Sequence, residues 1–360
     1  MKRLIPLLAA ALLALSCEKS PKGSSYDVPT PSFARGADVS WVSEMESNGK
    51  TFKTKSGSQA DIFESLKSCG INAIRLRVWV NPSGGWSGKA DVVKLAERAA
   101  RAGMALMIDF HYSDFFADPS RQDIPADWAA DKASIDKMCT HVKDHTTEVL
   151  KAIKEKGVTP AWIQIGNETR NGMLWPIGQL WDTSYGTAGG WANFARLYKI
   201  AYAAAKEVFP SAKVMPHVNN AYADNAWWFT ELRNQGASFD MIALSHYPQA
   251  ENKMTPAEYN AAAIAQIKAL RSAYGVPVMV SEVGVKTPDG EAAAKAVLQE
   301  FMDGVKKLPS EVCAGVFYWE PEVYDWWKPA IYTSKGWNAY GMGAYLSGGK
   351  PSSVMDVFAD

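Results

Sequence analysis

The chain has 360 residues, enough for one large barrel or two smaller domains, and its 38 basic and 38 acidic residues cancel to a formal net charge of zero. A nucleic acid or an anionic membrane surface would favour a basic face, so neither is expected as a partner. The 14 tryptophans are the positive signal, because indole in excess of core needs stacks well on the apolar C–H faces of sugar rings.

The N-terminus reads as a targeting segment. Met1-Lys2-Arg3 supplies positive charge and residues 4–15 form an apolar run too short to span a bilayer. Ala14-Leu15-Ser16-Cys17 resembles a bacterial lipobox, so residues 1–17 are expected to be a lipoprotein signal with Cys17 as the lipidated residue. The alternative is an ordinary secretory signal cut nearby. Residues 18–32, rich in Ser, Pro and Lys, read as a flexible tether, and residues 33–360 as the folded domain. Cys69, Cys139 and Cys313 remain, an odd number, and the apolar neighbours of Cys69 and Cys313 suggest buried free thiols.

From residue 33 onward strand and helix patterns alternate. Strands are predicted at 36–40, 73–79, 105–110, 162–166, 213–217, 241–246, 278–281 and 315–319, with helices at 89–102, 135–156, 192–208, 256–274 and 291–307 among them. Helices that stop at Gly70 and Gly103 just before the next strand carry left-handed C-cap chemistry. Eight near-continuously apolar strands separated by helices predict an α/β fold of one domain, a (β/α)8 TIM barrel with a parallel sheet, its interior filled by branched apolar side chains. No phosphate-binding glycine motif follows the first strand.

Polar residues come late in every strand, which is where a barrel opens its site. Asp38 lies near the end of strand one, with Arg75, Arg77 and Trp79 along strand two. Asp109, His111 and Asp114 end or follow strand three, Asn167 and Glu168 close strand four, and His217 and Asn219 close strand five. His246 and Tyr247 end strand six, Glu282 strand seven and Trp319 strand eight. Two isolated carboxylates on one rim are what glycoside hydrolysis needs. Glu168 is the expected acid/base and Glu282 the nucleophile, with Asn167 placed to reach a sugar hydroxyl. Arg77 is the expected donor to Glu282, being nearer the strand end than Arg75, with Tyr247 as a second donor. The remaining polar residues named here are expected to bind or support substrate. Substrate hydrogen bonding is also favoured over zinc for His111, His217 and His246, because no HxH or HExxH pair occurs. Trp79, Trp86, Trp175, Trp181, Trp319, Trp326 and Trp327 are candidate sugar platforms, while Trp227 and Trp228 read as core. Glu320 and Glu322, flanking Pro321, are the rival carboxylates in a loop.

Three stretches carry a family resemblance. They are Arg75-Leu76-Arg77-Val78-Trp79-Val80-Asn81-Pro82, the run His111-Tyr112-Ser113-Asp114-Phe115-Phe116-Ala117-Asp118-Pro119, and Gln164-Ile165-Gly166-Asn167-Glu168. On these the chain resembles glycoside hydrolase family 53, the endo-β-1,4-galactanases of clan A, over nearly its whole length after the tether. The resemblance implies cleavage of internal β-1,4-galactosyl bonds in pectic galactan and type I arabinogalactan, with retention and carboxylates about 5–5.5 Å apart. It implies no cofactor. Some bacterial members carry calcium in loops after strands seven and eight, but 283–290 is short here and offers only Asp289, so calcium is doubtful. A monomer held to the bacterial envelope by its lipid is expected, at the outer membrane or cell surface. The rivals are another clan A glycanase, a mannanase or glucanase, and a non-catalytic glycan-binding lipoprotein.

Overall fold

The computed structural model describes residues 25–181, 187–249, 253–287 and 290–359; Cys17 and Asp289 lie outside them. The eight barrel strands are β1 (Ala34–Asp38), β2 (Ala73–Val78), β3 (Ala105–Phe110), β4 (Trp162–Ile165), β5 (Lys213–Val218), β6 (Ile242–His246), β7 (Val278–Val283) and β8 (Cys313–Trp319). Each pairs in parallel with the next and β8 closes onto β1. The expected TIM barrel is therefore present, with strand ends shifted by one or two residues.

Helices fill the crossovers: α1 (Val42–Ser47), α2 (Ile62–Lys67), α3 (Lys89–Arg101), α4 (Ile135–Glu155), α5 (Thr187–Val208), α6 (Ala226–Asn234), α7 (Pro256–Tyr274), α8 (Glu291–Lys306) and α9 (Ala330–Ser334). Local chemistry explains their ends. Thr255 and Glu258 form a reciprocal capping box ahead of α7, and Gly275 in a left-handed conformation stops it. Tyr26 N donates to Gly157 O at 2.9 Å, so the described end of the tether lies against the turn between α4 and β4.

The interior differs from expectation. Branched residues such as Ile74, Leu76, Ile108, Ile163 and Val280 point outward and pack with helix residues such as Val92 and Leu95. The floor inside the barrel is Trp162, Phe317, Met107, Met215 and Met279 with small alanines. Gly36 makes room for this, since a Cβ there would lie 2.1 Å from the Phe317 ring. Period-two alternation then lifts polar side chains into a layer above the floor: Asp38, Arg75, Asp109, Gln164, His217 and Ser245 are all at most 1% exposed.

Candidate active site

Buried charge must be paired, and Arg75 is the hub of the pairing. Its guanidinium reaches Asp38 at 2.7 Å, Asp109 at 2.8 Å and Glu282 at 2.9 Å, and donates to Asn167 Oδ1 at 2.9 Å. The expectation that Arg77 serves Glu282 is thus corrected. One pair of residues further along β2, Arg77 instead pairs with Glu320 and lies against the rings of Trp79 and Phe116. The rival carboxylates are likewise not free loop groups, because Glu320 and Glu322 are fully buried.

Glu282 reaches the cleft through a backbone irregularity. Met279 faces inward and Val280 outward, so strict alternation would aim Ser281 in and Glu282 out. A register shift places Ser245 opposite Glu282 while Leu244 pairs with Val280, leaving Ser281 as the extra residue of a bulge. The bulge turns Glu282 inward, where Tyr247 Oη donates to its Oε2 at 2.8 Å.

Glu168 arrives by a turn. Gly166 (φ 75°) and Glu168 (φ 47°) both adopt left-handed backbone, as do Tyr112, Asn220 and Glu320 just past β3, β5 and β8. For non-glycine residues that conformation is strained, and such strain gathers at functional rims. The turn is braced by Gln122 Nε2 donating to Asn167 O at 2.8 Å and by Glu168 N donating to His217 Nδ1 at 3.2 Å. Accepting that proton means His217 carries its own on Nε2, which faces Ser245 Oγ at 2.9 Å. Burial holds His217 neutral, well below the usual histidine range. His111 is oriented through both ring nitrogens. Its Nδ1 accepts from Ala117 N at 3.0 Å and Trp79 Nε1 at 3.3 Å, and its Nε2 donates to Asp109 at 2.9 Å.

A cleft of about 200 Å³ is lined by Glu168, Glu282, Asn167, His111, Tyr247, Trp319, Phe116, Tyr332 and Trp337 among others. Burial and then the neighbouring Glu282 charge push Glu168 up to about 8. Burial also raises Glu282, but Arg75 and the Tyr247 hydroxyl oppose it there, so the first proton leaves Glu282. The pair therefore holds one carboxylic acid and one carboxylate near neutral pH.

Some expected residues stand elsewhere. His246 Nε2 bonds Asn260 Oδ1 at 2.8 Å and its ring packs on Phe301 at 4.3 Å, on the helix side of β6, so it is not in the cleft. Asp114 accepts from Asn81 N and Ala126 N at 2.8 Å and lines a separate cleft of about 470 Å³ with Trp79 and Trp86. That larger cleft holds neither Glu168 nor Glu282, so the chemistry belongs to the smaller one. Asn219 is half-buried beyond β5, its Oδ1 has no partner among the described residues, and it does not line the cleft. Trp227, expected as core, is 37% exposed, whereas Trp228 is fully buried. Asp38 and Asp109 serve the cleft indirectly, by neutralising Arg75.

Sequence reading passed over Gln164, which donates to Asp109 and contacts Arg75 at 3.2 Å and His217 at 3.0 Å. Its inward phase, two residues after Trp162, was the available signal. Tyr332 and Trp337 enter from the long segment after β8, for which alternation gives no phase.

Comparison with known proteins agrees with this geometry. The profile described as glycosyl hydrolase family 53 matches residues 34–355. An arabinogalactan endo-β-1,4-galactanase of Cellvibrio japonicus is 31% identical over 348 residues, covering 89% of this chain and 87% of its own. One of Thermothelomyces thermophilus is 31% identical over 313 residues, covering 80% and 89%. A solved fungal β-1,4-galactanase superposes with a TM-score of 0.77 at 27% identity, covering 90% of this chain and 98% of its own. The family 53 catalytic domain of Ignisphaera aggregans gives 0.77 at 26% identity, covering 93% and 98%. With its profile spanning the barrel and its carboxyl pair on the strand ends, this chain belongs to glycosyl hydrolase family 53.

Proposed function

We propose that this chain is a retaining endo-β-1,4-galactanase that cuts galactan by double displacement. One observation carries the proposal: two glutamates face a single cleft in different electrostatic surroundings, Glu168 raised to about 8 and Glu282 kept the more readily ionised of the two by Arg75 and Tyr247. A Glu282 oxygen attacks the anomeric carbon while Glu168 protonates the departing glycosidic oxygen. In the second step Glu168, now a carboxylate, takes a proton from water, and that water's oxygen displaces Glu282. Asn167, anchored by Arg75 and by Ala117 O at 2.8 Å, is placed to meet the 2-hydroxyl as positive charge develops.

Both steps need only the carboxyls and water, so no cofactor forms part of the proposal. Within the described part of the loop after β7, Thr287 is the one side-chain oxygen, a poor start for the 6–8 oxygens calcium takes. The proposal is of a monomer. The lipobox-like Cys17 supports attachment to a bacterial envelope by lipid, at the outer membrane or cell surface.

The decisive experiment offers linear β-1,4-galactan beside mannan, xylan and cellulose. Rapid release of short galacto-oligosaccharides from galactan alone is expected; turnover of mannan or cellulose instead would overturn the substrate. Proton NMR of the first products should show the β-anomer, and an initial α-anomer would overturn retention. A diacylglyceryl adduct on Cys17 in the envelope fraction would support the anchor.

A further inference from the structure

The loop that Glu168 begins brings Trp181 against Trp227 of α6, a pair of solvent-facing indoles that the mechanism leaves unused. Trp181 is 58% exposed and Trp227 is 37% exposed, and their ring centroids lie 5.8 Å apart at a tilt of 44°. A single exposed tryptophan is ordinary, whereas two in contact form a surface. Both are held from beneath. Trp181 Nε1 donates to Asn171 Oδ1 at 3.1 Å, which ties its polar edge down and leaves an apolar face outward. The Arg170 guanidinium lies 5.4 Å from the Trp227 ring and is itself fixed by Asn225 Oδ1. Trp228 Nε1 donates to Arg170 O at 3.2 Å, and Asn171 Nδ2 donates to Pro119 O at 2.8 Å, so both residues under the pair are tied to neighbouring segments.

Arg170 and Asn171 are the second and third residues after Glu168. The group that Glu168 protonates is the leaving group, so the departing chain must pass over the loop that Glu168 begins. We propose that Trp181 and Trp227 form a sugar platform on the rim beyond Glu168 that grips the leaving-group end of a long β-1,4-galactan chain. A galactopyranose carries its C3, C4 and C5 hydrogens on one face because O4 is axial, and that face matches a preset indole. The Arg170 guanidinium, bonded to Asn225 through Nη1, carries further N–H donors for ring hydroxyls. Continuity with the catalytic loop identifies the occupant, and in this respect the inference rests on the galactanase reading.

The test compares the full chain with its Trp181→Ala/Trp227→Ala variant on polymeric galactan and on galactotriose, with melting temperatures as a folding check. The platform predicts that KM on the polymer rises about tenfold with kcat nearly kept. The loss on galactotriose should be at least fivefold smaller, because so short a chain cannot span both regions. Trp227→Tyr should restore most of the polymer KM. Equal losses on both substrates, or no loss on the polymer, would overturn the platform. If the parent does not cleave galactan, the galactanase reading fails first. Retardation of Glu282→Gln in galactan-containing gels, with and without the two alanines, then decides the platform alone. Unequal mobility in galactan but not in mannan supports it; equal mobility ends it.

Discussion

At the residue scale the site is one arginine shared among carboxylates. Arg75 sits between Asp38, Asp109 and Glu282 at 2.7–2.9 Å with no exposure, so removing one partner leaves charge buried. Glu282→Gln keeps the shape and Tyr247 contact but has no nucleophilic oxygen. We expect kcat on galactan to fall by about 10⁴ with binding retained, checked by initial rates and by gel retardation. Glu168 sets the other limb. Burial and the Glu282 charge raise it to about 8, and it must be protonated to act as acid. Activity should hold through neutrality and fall as pH rises past about 8, and Glu168→Gln should abolish that limb along with most turnover. Glu168 and Glu282 were both legible in the sequence because each is an isolated carboxylate ending an apolar run. Choosing Arg75 over Arg77 was not, since both share one face of β2 and only the barrel's closure shows which depth meets Glu282.

At the element scale two backbone irregularities deliver the pair. Ser281 is the extra residue that turns Glu282 inward. Gly166 lets the chain leave β4 in a left-handed turn, and a Cβ there would lie 2.4 Å from Thr169 Cγ2. Gly166→Ala meets both the strain and the clash. It should cost about 1–3 kcal/mol in thermal unfolding and lower kcat more than KM, because Glu168 starts two residues on. A loss of stability without any loss of kcat would show that the turn does not position Glu168. Period-two reasoning found the strands but not the bulge, because one unpaired residue leaves no mark in an apolar pattern. His246 illustrates the opposite failure. It ends a strand as the site residues do, yet its phase turns it toward Asn260 and Phe301.

At the scale of the whole molecule, two glutamates buried just past β8, Glu320 and Glu322, resist ionisation. Burial raises Glu320 to about 7 despite Arg77, and burial and then the Glu320 charge raise Glu322 well above the usual range; among the described residues its carboxyl oxygens have no hydrogen-bond donor. An acid whose folded pKa is raised contributes least penalty below its unfolded value near 4.5 and costs stability progressively as pH climbs. Neutral buried His145, His217 and His246, all lowered, pull the other way and lose stability as pH falls below about 6.5. The net profile is therefore a balance, and a difference isolates the acid. The melting temperature of Glu322→Gln should gain on the parent steadily between pH 5 and 8; a constant gap would show that Glu322 does not titrate on unfolding.

What the amino-acid sequence determined alone was local and periodic. Alternating strands and helices specify a closed parallel barrel, helix ends follow from Gly70 and Gly103, and polar residues that come late on each strand mark the open rim. The tertiary structure decided everything that depends on depth or phase. It assigned Arg75 to Glu282 and Arg77 to Glu320, turned His246 away, buried Glu322, and left Trp227 exposed beside Trp181. The reason is physical: periodicity says which face a side chain takes, but contacts across the barrel depend on how eight strands stagger as they close.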